Sequence, residues 1–117
     1  MKVSMLLIAV SLVGFTSCKK CDGENPTSRV LNNCADTISV NIISTGGDTV
    51  NIYNLATGQF SDYATYAPGT ADYTITVGNG GIVPTLYTSV VMQQCFQYNV
   101  VLESDYDITV VPTDLNE

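Results

Sequence analysis

The chain has no histidine and no tryptophan, and its basic residues stop early. Without histidine, neither a Ser-His-Asp nor a Cys-His catalytic arrangement can be built. Lys2, Lys19, Lys20 and Arg29 are the only cations, so Val30 to Glu117 carries acidic charge alone. A Ser-Lys dyad in that region is therefore excluded. So is nucleic-acid binding, which needs clustered Lys and Arg to displace counterions. Docking of the folded part on anionic lipid is excluded on the same ground. Carboxylates remain, but no spacing singles out a pair for glycoside cleavage. The chain is expected to be no enzyme and to need no cofactor.

What is present points to β-structure. Seven Tyr and many Thr stand in a chain with only 13% charged residues. β-branched and aromatic side chains suit a pleated, half-buried surface. The 117 residues leave room for one domain. A formal net charge of −7 keeps such a domain soluble.

The N-terminus reads as an export segment. Lys2 is a short positive start, and Val3 to Phe15 is largely apolar. That run is shorter than the roughly 20 apolar residues a membrane-spanning helix needs. It fits the hydrophobic part of a signal peptide, here residues 1–17. The sequence Phe15-Thr16-Ser17-Cys18-Lys19-Lys20 resembles the lipobox of bacterial lipoproteins. The resemblance implies that Phe15, Thr16 and Ser17 form the signal peptidase II recognition site. It also implies that Cys18 becomes the lipidated first residue of the mature chain. Phe15 departs from the Leu usual at its position. Lys19 after the Cys is similar to lipoproteins sent to the outer membrane of Gram-negative bacteria. The alternative is ordinary cleavage, which leaves a secreted domain without lipid.

Residues 18–28 are polar, with Gly and Pro and no hydrophobic periodicity, and read as the lipidated Cys and a flexible tether. From residue 29 to 112 the pattern is period two, broken by turn residues. Thr37 to Ile43 alternates, and Asp48 to Asn54 completes a hairpin across Ser44-Thr45-Gly46-Gly47. Further strands are expected over Gln59–Tyr66, Ala71–Val77, Ile82–Met92, Cys95–Leu102 and Tyr106–Val111. Pro112 closes the domain, and 113–117 is a tail. The spacing predicts an all-β fold, a small immunoglobulin-like antiparallel β-sandwich of about seven strands. A small β-barrel is the alternative. Val30-Leu31-Asn32-Asn33, the Pro68-Gly69-Thr70 turn and a late Cys95 are also similar to small β-sandwich lipoproteins of unassigned function.

With Cys18 assigned to lipid, Cys21, Cys34 and Cys95 remain. Cys34 and Cys95 fall at the starts of an early and a late strand and are the expected disulfide, with Cys21–Cys34 in competition. Asp105 and Asp107, two apart, are calcium candidates through hard oxygen ligands, set against a solvated acidic turn. Tyr63, Tyr66 and Tyr87 are candidates for stacking on a sugar face or a partner. Tyr63 and Tyr66, three apart in a strand, would face opposite sides, so only one would be free.

The expected protein is a lipid-anchored component of the cell envelope. Its partners would be the membrane, through N-terminal acyl chains, and an unknown protein or glycan bound without catalysis. A structural component that assembles by pairing edge strands is the second expectation.

Overall fold

The computed structural model describes residues 21–78 and 85–116. Phe15, Thr16, Ser17 and Cys18 lie outside the described residues, as do residues 82–84 of the strand expected over Ile82–Met92. Eight strands form two four-stranded sheets. They are β1 (Thr27–Asn32), β2 (Ile38–Ser44), β3 (Thr49–Leu55), β4 (Ala64–Thr65), β5 (Gly69–Val77), β6 (Leu86–Met92), β7 (Phe96–Leu102) and β8 (Ile108–Asp114). One sheet runs β4-β1-β7-β8 and the other β3-β2-β5-β6.

Alternation explains the packing. Ile38, Val40 and Ile42 of β2 are buried, as are Tyr73, Ile75 and Val77 of β5. Tyr98, Val100 and Leu102 of β7 meet them from the opposite sheet in one core with Val30. Intervening residues such as Ser39, Asn41, Thr74 and Thr76 face outward, as period two requires. The all-β sandwich expected from the pattern is the fold observed.

Several expected boundaries move. The disulfide joins Cys21 to Cys95, with Cα atoms 5.6 Å apart, while Cys34 is free and buried. The expected Cys34–Cys95 pairing fails because the two residues lie at opposite ends of the sandwich. β1 separates those ends by roughly 20 Å of strand, far beyond the reach of a disulfide. Cys95 takes a left-handed φ of 66° in the turn before β7, which frees its side chain from the in-out alternation of that strand. The segment Cys21–Ser28, expected within the tether, belongs to the domain. Cys21, Pro26 and Ser28 are buried, Glu24 accepts a hydrogen bond from the Cys95 amide, and β1 starts at Thr27.

The disulfide also accounts for the one parallel pairing. Cys21 and Cys95 sit at the shared starting end of β1 and β7, so both strands leave that end together and pair in parallel from Thr27↔Gln97 to Asn32↔Leu102. All other strand pairs among the described residues are antiparallel. β8 continues through Pro112 to Asp114, two residues past the expected end of the domain. Proline is tolerated there because β8 is the edge of its sheet and loses no ladder bond on its open side. Gln59–Tyr66 shrinks to the two residues of β4 and one isolated bridge, Leu31↔Phe60. Between them the Ser61 hydroxyl accepts from the Val30 amide at 2.8 Å, replacing a strand carbonyl.

The end opposite the disulfide is tied by Asn32, whose side chain is fully buried. Its Nδ2 donates to the carbonyls of Asp36 at 2.8 Å and Leu55 at 2.9 Å. Its Oδ1 accepts from the Cys34 amide at 3.0 Å. One amide thus joins the β1–β2 turn to the end of β3, with no buried polar atom left open on its side chain.

Candidate functional site

Arg29 lies midway along β1 and, between the buried Ser28 and Val30, faces the outer side of its sheet, where residues of the β3–β4 connection meet it. Its guanidinium carbon stands 3.7 Å from the centroid of the Phe60 ring and 4.7 Å from that of Tyr63. Its Nε donates to Asn99 Oδ1 on β7 at 3.0 Å. The partners of this cation are two rings and an amide rather than a carboxylate. A planar, weakly hydrated guanidinium stacks on aromatic faces where an ammonium would stay in water. Both rings thus stack against the same cation, with Phe60 46% and Tyr63 43% exposed.

Beside them an open groove of about 370 Å³ runs between the sheet edges. Val50, Asn51 and Ile52 of β3 form one wall, and Phe60 to Ala64 the other. Val50 and Ile52 are half-buried against the core, which gives the wall an apolar base. Ser61 and Asp62 contribute polar groups, whereas the Asn51 side chain lies on the outer face of β3, out of step with Val50 and Ile52, and its Oδ1 accepts from Asn41 Nδ2 at 2.7 Å. The lining is about evenly polar and apolar and open to solvent, a wetter surface than the mainly apolar cleft that encloses a drug-sized ligand.

The sequence candidates divide. Tyr63 is exposed at the groove, while Tyr66 is buried in the core, so only one of the two is free. Burial, and secondarily the nearby Tyr73, raises the Tyr66 hydroxyl well above its usual range. Tyr73 shares a 2.7 Å hydrogen bond with Ser28 across the sheets, and burial pushes its hydroxyl up to about 12. Tyr87 is exposed on the outer face of β6, and the register Tyr87↔Thr74, Asn41↔Thr74, Asn41↔Asn51 puts the whole sheet between it and β3.

Asp105 and Asp107 do not assemble a calcium site. Asp105 Oδ1 accepts from the Asp107 amide at 3.1 Å, closing a local turn. Among the described residues no three His, Cys, Asp or Glu side chains converge on a point. Arg29 and Phe60 escaped sequence reasoning. The available signals were that Arg29 is the last cation of the chain and that Phe60 and Tyr63 are aromatics three residues apart in a polar stretch. Compared with known proteins, the chain matches no family model and no curated protein.

Proposed function

We propose that this protein is a lipid-anchored envelope lipoprotein whose domain binds a ligand in the β3–β4 groove without catalysis. The observation that carries the binding reading is the pair of exposed rings, Phe60 and Tyr63, stacked against Arg29 beside a partly polar groove. Aromatic faces offer large contact area at low entropic cost. Beside Ser61 and Asp62, they suit a sugar ring, which presents C–H groups to an aromatic face and hydroxyls to a carboxylate and a side-chain hydroxyl. Asp62 and the acidic domain favour a neutral sugar over an anionic one.

The test is a titration of the domain with neutral oligosaccharides, followed by NMR. Shifts should centre on Asn51, Phe60 and Tyr63, and Tyr63→Ala should weaken binding roughly tenfold, equivalent to about 1.4 kcal/mol. If the groove amides stay unmoved by every oligosaccharide tried, the sugar reading is wrong.

A second reading, assembly by strand pairing, is favoured by β6. This edge strand, Leu86-Tyr87-Thr88-Ser89-Val90-Val91-Met92, holds no charge, Pro or Gly, and Val91 is 65% exposed. β8 has Pro112 and Asp114, and β3 has a register shift opposite Ile38/Val40 with Asn54 in the left-handed region. Those features are the usual guards against edge pairing, and β6 lacks them.

A further inference from the structure

We infer that the Cys21–Cys95 disulfide clamps the domain directly against the membrane, with its disulfide end facing the lipid headgroups. The inference rests on lipidation at Cys18. Only Lys19 and Lys20 separate that residue from Cys21. Cys21 is buried and covalently joined to Cys95, at the turn between β6 and β7. Three Cα–Cα steps of 3.8 Å set the greatest reach from Cys18 to Cys21 at about 11 Å. A chain free as far as Arg29 would reach roughly 40 Å. The disulfide therefore turns a long leash into a short foot, and it does so at one particular end of the sandwich.

The strand directions say what that end presents. β2 and β3 turn there at Ser44–Asp48, β5 starts there at Gly69, and β8 finishes there before Leu115, whose amide donates to the Cys95 carbonyl. Its exposed side chains include Asp22, Glu24, Asp48, Gln93, Gln94 and Asn116. They supply hydrogen-bonding groups and negative charge, while the exposed apolar residues nearest this end, Ile43 and Val91, stand on the outer sheet face beside the strand ends. With Lys19 and Lys20 nearest the lipid and Asp22, Glu24 and Asp48 just behind them, the charges of this end largely offset, which fits a zwitterionic headgroup layer. The opposite end, with the turns at Asn33–Thr37 and Glu103–Asp107, then points away from the membrane. The groove lies on the flank: Ala64 pairs with Ser28 near the lipid, and Phe60 bridges Leu31 farther out.

Neutron reflectometry of the acylated protein in a supported phosphatidylcholine bilayer tests this. The comparison is a variant with ten Gly/Ser residues inserted between Lys20 and Cys21, which leaves the disulfide and every contact of the domain intact. The wild-type gap between headgroups and protein should be no wider than about 11 Å. The insertion should widen it by roughly 10 Å, because the resulting thirteen-step flexible coil has a root-mean-square span of about 20 Å. A wild-type gap as wide as that of the insertion variant overturns the clamp, and so does an insertion that changes nothing. Intact mass of the same sample separates the premise: an unmodified Cys18 overturns the lipid anchor itself, while an acylated Cys18 with a wide gap overturns the clamp alone.

Discussion

Single residues set the chemistry of this domain because its cations are so few. Arg29 is the only cation beyond Lys20, and it stacks against Phe60 and Tyr63. Tyr73 illustrates a second residue-level effect. Its hydroxyl titrates near 10 in an unfolded chain and at about 12 in the folded one, chiefly because of burial. The folded state thus holds the proton more tightly. The resulting stability is complete below pH 10 and is lost as the pH rises through 12. Tyr66, shifted in the same direction, adds to the effect. Denaturant midpoints followed by circular dichroism should fall across that alkaline window. Tyr73→Phe should flatten the fall while lowering stability at neutral pH by about 1 kcal/mol, since the Ser28 hydroxyl loses its partner. An unchanged alkaline slope in Tyr73→Phe would assign the loss elsewhere.

At the scale of elements, the strands that alternate cleanly were readable from sequence. β2, β5 and β7 appear within a residue or two of their expected limits because each has one face wholly in the core. β4 was overestimated, since alternation in Gln59–Tyr66 looks the same whether the backbone pairs or a serine hydroxyl replaces the ladder. β6 is the element with the clearest consequence for association. Val91→Lys places a charge on its exposed outer face without touching the core, so stability should change by less than about 0.5 kcal/mol. If β6 edges pair in solution, sedimentation should show concentration-dependent dimers in the wild type that this substitution removes. A wild type that stays monomeric at high concentration would eliminate the strand-pairing reading.

For the molecule as a whole, the disulfide is the main covalent constraint among the described residues. It closes a span of 74 residues. In the chain-entropy picture that closure stabilises the fold by about 4 kcal/mol. Replacing both cysteines, C21S/C95S, should lower the free energy of unfolding in urea by that order, and a loss under about 1 kcal/mol would mean that non-covalent packing holds β1 beside β7 unaided. The pairing was not legible in the chain, because connectivity depends on which strand ends share one side of the sandwich. Composition and period two were enough to specify an all-β domain and its acidic charge, since these follow from side-chain chemistry and local alternation. The parallel β1–β7 pair, the burial of Tyr66 but not Tyr63, and the meeting of Arg29 with Phe60 and Tyr63 were decided only by tertiary structure. Each brings together residues distant in the chain, and their contact depends on how two sheets stack rather than on any local preference.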